Sequence, residues 1–146
     1  MEELVKLLDK SLKYTGHKII EDTIYISVIS DRHEVKCPFC GVVSVKVHSR
    51  YIRDFKDLPI QGKKVVYLLT NRKMFCVNPE CPRTTFAERF DFLGKKAKKS
   101  KRLEKEIINI AAHMSTVAAG EVLSRNHMKI SASGVRNALK KNNDGM

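Results

Sequence analysis

CPFCG (residues 37–41) and, after a gap of 35 residues from Cys40, CVNPEC (residues 76–81) hold all four cysteines of the chain. Each pair is close enough for one tight turn to aim two sulfurs at one point. Two such turns on neighbouring hairpins complete the tetrahedron preferred by structural zinc, with no position left for water. Pro38 helps to fix the first turn and Gly41 tolerates the positive φ often required after it; Asn78 and Pro79 are turn formers that fold the longer spacing of the second pair into a loop. Cys37, Cys40, Cys76 and Cys81 are therefore expected to bind one structural Zn2+, although the spacing alone also admits iron, a redox pair at Cys37 and Cys40, or four buried free thiols. His33 and His48 are potential ligands by chemistry, but four thiolates already fill the shell. His48 is expected to hydrogen-bond locally.

Outward from the cysteines the chain reads as β-rich. In HKIIEDTIYISVIS (residues 17–30), Ile24, Ile26 and Val28 alternate against Tyr25 and Ser27. Residues 43–48 and 64–70 also read as strands, DLPIQG (residues 57–62) as a turn between strands, and residues 2–9 as a short helix. The ribbon core spans 35–90 within an N-terminal zinc-binding domain of residues 1–93.

The 146 residues carry 28 Lys plus Arg against 16 Asp plus Glu, a net charge of +12, so an anionic partner is expected, nucleic acid first. The excess is local. GKKAKKSKRLEK (residues 94–105) has 7 basic and 1 acidic residue, half of the net charge. With no apolar period before Leu103 it reads as a basic linker entering a helix, either a solvated connector or a phosphate-binding segment. Four thiolates around a divalent ion leave about −2 at the metal, so the centre itself would not attract phosphate. Lys36, Lys46, Arg72, Lys73 and Arg83 are placed to offset that charge.

Beyond the linker, residues 106–146 read as helical. Leu103, Ile107, Ile110, Ala111 and Met114 recur at spacings of three and four. A second helix opens near Thr116 in TVAAGEVLS, and Ser131 caps a third, ASGVRNALKKN (residues 132–142). Three short helices fit a helix-turn-helix whose last helix enters the major groove, presenting Ser133, Arg136, Asn137 and Lys140 to base edges; a plain helical hairpin with a solvated basic face fits the same periodicity. The fold class expected is α+β, a small β-rich zinc ribbon built on four cysteines, followed by a helical helix-turn-helix module.

CPFCG (37–41), HSRYIR (48–53), DLP (57–59), RKMFCVN (72–78) and CPRTTFAE (81–88), in that order, resemble the N-terminal zinc-binding domain of insertion-sequence transposases of the ISL-three family. The resemblance implies a helix-turn-helix after the zinc domain and zinc-dependent binding of double-stranded DNA at the terminal inverted repeats of a mobile element. Lys95, Lys96, Lys98, Lys99, Lys101 and Arg102 would meet phosphates. It further implies a separate catalytic domain with metal-binding Asp, Asp and Glu, for which these residues offer no substitute. Asp54, Asp57, Glu88 and Asp91 belong to the zinc module and form no credible two-metal site.

The expectation is accordingly a truncated or partial transposase without enzymatic activity of its own, able to self-associate or to associate with a full-length transposase. A stand-alone zinc-ribbon and helix-turn-helix regulator, and a zinc-stapled protein-interaction module, are the alternatives. No apolar run approaches the roughly 20 residues that span a bilayer, and the acidic start MEELVKLLDK is unlike a secretory signal, so no membrane partner and a cytoplasmic location are expected.

Overall fold

The computed structural model describes residues 1–112 and 116–125. The chain opens with helix α1 (Glu2–Leu8), then strands β1 (Leu12–Ile20), β2 (Thr23–Ser30), β3 (Val35–Lys36), β4 (Val43–Ser44), β5 (Val47–Ile60), β6 (Lys63–Phe75) and β7 (Thr85–Ala87), then helices α2 (Lys101–Ala111) and α3 (Thr116–Arg125). Strands β1, β2, β6 and β5 lie side by side in that order, and β7 pairs with β6; β3 and β4 form a separate two-stranded ribbon.

The β5–β6 hairpin is the spine of the molecule. Its turn consists of Gln61 (φ 50°) and Gly62 (φ 73°) between the paired residues Ile60 and Lys63. Two left-handed residues in a two-residue loop match the right-handed twist of the strands they join. The turn is thus shorter than DLPIQG implies. Asp57 to Ile60 finish β5, with a register irregularity between Asp57 and Ile60 where Pro59 has no N–H to give.

On β6 the buried residues are Val65, Tyr67, Leu69 and Asn71, one face of a pleated strand. They oppose Ile24, Ile26 and Val28 of the parallel neighbour β2, where Ile24 pairs with Val65, Ile26 with Tyr67 and Val28 with Leu69. Phe55 of β5 stacks on Tyr67 at 5.1 Å, and Phe92, followed by Phe90, continues the aromatic row over the sheet. Val5 of α1 and Leu12 of β1 complete this core.

Toward the other end of the hairpin the buried residue of β6 is Met74, on the opposite face. Strand β5 follows the change through a bulge: Ser49 pairs with Lys73 but Val47 with Met74, so His48 is an extra residue that re-phases the strand. Val47 then packs with Met74, Phe86, Val35 and the cysteines in a second, smaller cluster. One hairpin therefore carries two cores on its two faces.

The basic stretch after Gly94 is packed onto the sheet. The Lys56 N–H donates to the Lys98 carbonyl and the Ser100 N–H to the Lys56 carbonyl, both at 2.9 Å, which lays residues 98–100 along β5. Ser100 is fully buried and caps α2, its Oγ accepting from the Leu103 N–H at 3.2 Å. The helix thus begins at Lys101, inside the stretch read from sequence as a linker. Leu103, Ile107 and Ala111 form its buried stripe.

The β-rich half of the expected fold is present. Of the helical half the described residues contain α2 and α3. The third expected helix, with Ser133, Arg136, Asn137 and Lys140, lies outside the described residues. No helix among the described residues is long and apolar enough to cross a membrane.

Candidate metal centre

The short β3–β4 ribbon, with Val35 paired to Ser44 and Lys36 to Val43, presents the first cysteine turn. Within it the Gly41 N–H donates to the Cys37 carbonyl at 2.8 Å and the Cys37 N–H to the Val42 carbonyl at 3.0 Å, while Gly41 takes φ 79°. A side chain at that position would be strained, which accounts for the glycine. Ser44 ties the ribbon to the spine through a 2.6 Å hydrogen bond from its Oγ to the Phe75 carbonyl.

The second turn starts where β6 ends. The Cys76 N–H reaches the Thr84 carbonyl at 2.9 Å, and the Cys81 N–H reaches the Asn78 carbonyl at 3.1 Å. Asn78 closes the extra length, its Oδ1 accepting from the Glu80 N–H at 3.0 Å.

These turns bring the four Sγ atoms within 4.8 Å of one another. The close contacts run between the pairs, Cys37 to Cys81 at 3.9 Å and Cys40 to Cys76 at 3.6 Å. Tetrahedral zinc with Zn–S bonds of about 2.3 Å requires S···S separations of about 3.8 Å. A disulfide would need about 2.05 Å, so no sulfur–sulfur bond joins the described cysteines, and the spacing is that of four donors around one centre.

Backbone donors prepare the sulfurs. The Val42 N–H pulls the Cys40 thiol down to about 7 against the opposing effect of burial, with help from Asn78. At Cys76 the Asn78 N–H also lowers the value, but burial and the neighbouring sulfurs outweigh it and leave the thiol pushed up to about 12. At Cys81 the Arg83 N–H, 3.5 Å from Sγ, is likewise outweighed, and that thiol is raised as well. One thiolate forms readily and holds back the next, and a divalent cation is what allows all four to ionise.

His48 stays outside the shell. It packs edge-on against Phe75 at 4.9 Å, and its Nδ1 lies 2.9 Å from Ser49 Oγ. Of the cations expected near the thiolates, Arg72 instead grips the buried carboxylate of Glu88, with Nε at 2.9 Å from Oε1 and Nη2 at 2.9 Å from Oε2. Ser30 Oγ donates to the same group at 2.7 Å. Glu88 thus ties β7 to β6 and β2.

The expected phosphate contacts sort into distinct environments. Lys95 and Lys96 are exposed on a turn whose Gly94 and Ala97 carbonyls accept from Arg53 Nη2 at 3.0 and 3.2 Å. Lys98 pairs with Asp54 at 3.1 Å, Lys99 is half-buried beside Lys56, and Lys101 opens α2. Arg102 is engaged internally. It clasps the buried Asp57 through Nε at 2.8 Å and through Nη2, while Ser100 Oγ donates to the same carboxylate at 2.6 Å. A carboxylate in the turn-like DLP motif gave no sign in the sequence that its partner lay 45 residues away.

Residues 33–81 match the family model described as the zinc-finger of transposase IS204/IS1001/IS1096/IS1165. No curated protein and no solved structure is significantly similar to the chain. The matched residues contain all four cysteines, and together with the sulfur geometry they establish the centre as a zinc ribbon holding a single structural zinc ion.

Proposed function

We propose that this chain is the DNA-binding portion of a transposase-type protein and recognises double-stranded DNA at the terminal inverted repeats of its element. The observation that carries the reading is the four-cysteine centre inside a segment matching a transposase zinc-finger. Zinc supplies a cross-link here, joining the β3–β4 ribbon to the end of β6; every contact with DNA falls to the protein's own side chains. The net charge of +12 supports an anionic partner, and its concentration in residues 94–105 supports phosphate contacts beside the ribbon. Residues 106–146 serve as a helix-turn-helix in this account, with Ser133, Arg136, Asn137 and Lys140 reading bases.

The binding role is not an enzymatic one. Support comes from the engagement of the carboxylates: Asp54 with Lys98, Asp57 with Arg102 and Glu88 with Arg72. Self-association, or association with a complete transposase, would bring two element ends together. Selection of duplexes from a random-sequence pool, at physiological salt and with or without a zinc chelator, tests the proposal. Recovery of a defined motif that chelation weakens is expected, and recovery of unselected DNA alone would overturn it.

A further inference from the structure

Between the exposed face of the spine near the zinc ribbon and the segment that follows β7 lies a cleft of about 820 Å³. Lys73, Arg83, Arg89, Lys95, Lys96 and Lys101 line it. They come from four places in the chain: β6, the loop after Cys81, the end of β7, and the stretch leading into α2. Two acids are also present, but Glu88 is buried on Arg72, leaving Asp91 as the exposed carboxylate of the lining.

Part of this lining is anchored. Arg53 fixes the backbone of the Gly94–Ala97 turn that carries Lys95 and Lys96, in which Lys96 takes φ 61°. Arg83 and Arg89 both lie over the ring of Phe39, at 4.8 and 5.4 Å from its centroid, within the range of a cation–π contact. Phe39 belongs to the first cysteine turn, so the zinc ribbon forms one wall. No salt bridge among the described residues engages Lys73, Arg83, Arg89, Lys95 or Lys96. The zinc–thiolate centre offsets part of the charge of Lys73 and Arg83, but a concave surface with that many cations outside carboxylate pairs still focuses a positive potential at its mouth.

We propose that this cleft grips the phosphate backbone of duplex DNA, with Lys73, Arg83 and Arg89 acting alongside the lysines of residues 95–101. The inference rests on the DNA-binding reading above and assigns that binding to a surface of the β-rich half. Arg side chains suit it because their planar forks match phosphate oxygens, and Lys because its point charge tolerates several backbone positions. The contacts carry no base information. They would orient the protein on the duplex while the residues beyond read sequence.

The test uses the full chain, zinc-loaded, with a duplex of mixed sequence, about three helical turns long, as probe. Lys73→Gln/Lys95→Gln/Lys96→Gln removes three charges from the cleft, and Lys10→Gln/Lys13→Gln/Lys18→Gln removes three from the region of β1. Zinc content of each is measured in parallel. Each backbone contact contributes about 0.9 to the slope of log K against log salt, so the cleft variant should lose about 2 to 3 from that slope and roughly a hundredfold in affinity at about 0.15 M salt. The β1 variant should stay near wild type. A second variant, Arg83→Gln/Arg89→Gln, should fall in the same direction with zinc retained. Equal losses in the cleft and β1 variants would overturn the assignment while leaving DNA binding intact. Absence of duplex binding by the wild type would overturn the parent reading itself. Poly-glutamate binding more tightly than the duplex would give the cleft to an acidic protein partner instead.

Discussion

Removing either half of the Asp57–Arg102 pair tests whether α2 is locked to the sheet by a buried charge. Asp57 is 4% exposed, whereas the Arg102 side chain is 39% exposed. The two truncations are therefore unequal. Asp57→Asn keeps an acceptor for Ser100 and strands no anion; the guanidinium can turn to water. Hydrogen bonds to charged groups contribute about 1.5 to 3 kcal/mol, and with one acceptor retained the expected cost is about 2 kcal/mol. Arg102→Ala leaves a buried carboxylate with Ser100 as its remaining side-chain donor. Breaking buried pairs costs about 3 to 5 kcal/mol, and the solvent access of Arg102 places this one at the lower end, near ~3 kcal/mol. For a chain of this size the corresponding fall in Tm is about 10 °C. Urea unfolding in zinc-containing buffer, read by far-UV dichroism, gives the two values. The double variant Asp57→Asn/Arg102→Ala should be no less stable than Arg102→Ala, because the stranded charge is gone. Costs below about 0.5 kcal/mol for both single variants, or a double variant that adds the two costs in full, would refute a charge-locked helix.

Two further outcomes follow from the site and the core. Chelation should release amide protection around residues 33–50 and 71–87, where the small cluster depends on the cysteines, before it reaches β1, β2 and residues 55–69; hydrogen exchange with mass readout would show this, and simultaneous loss everywhere would contradict two separable cores. Burial, reinforced by the Asp57 carboxylate and partly opposed by Arg102, pushes the Tyr67 phenol up to about 12 from its usual 10.0. The folded protein then keeps a proton that the unfolded chain releases, so this contribution is complete below about pH 10 and is lost as pH rises toward about 12. About 2 to 3 kcal/mol should disappear across that window, and Tyr67→Phe should remove that part of the loss; identical pH profiles for wild type and variant would disprove the assignment.

The metal centre was legible because its information is local. Two cysteines within one turn declare their common target by covalent reach, and Gly41, Asn78 and Pro79 declare the turns. Strand β2 was legible for the same reason, since the alternation of Ile24, Ile26 and Val28 needs nothing beyond neighbours in sequence. Asp57 was not. Its motif is a turn motif, and the irregularity at Pro59 that ends β5 looks like turn chemistry from sequence alone, while the Arg102 and Ser100 that bury its charge come from a stretch whose composition reads as solvated.

The cleft lies further still from what local patterns disclose, because sheet register decides which lysines count. Pairing of Lys73 with Ala87 places the end of β7 against β6 and so brings Arg89 near Lys73. The bulge at His48 settles which face of β5 accompanies them, leaving Tyr51 and Arg53 on the cleft side. Arg53 then holds the turn that carries Lys95 and Lys96. Charge counts located half of the positive excess in residues 94–105, yet a run of lysines on a free connector and the same lysines facing Lys73 and Arg89 across a cleft differ greatly as phosphate sites. In the proposed cleft the turn that carries Lys95 and Lys96 is anchored by Arg53, and Arg83 and Arg89 rest on Phe39, so less ordering would be left to DNA binding and the zinc ribbon would contribute to it without contacting phosphate itself.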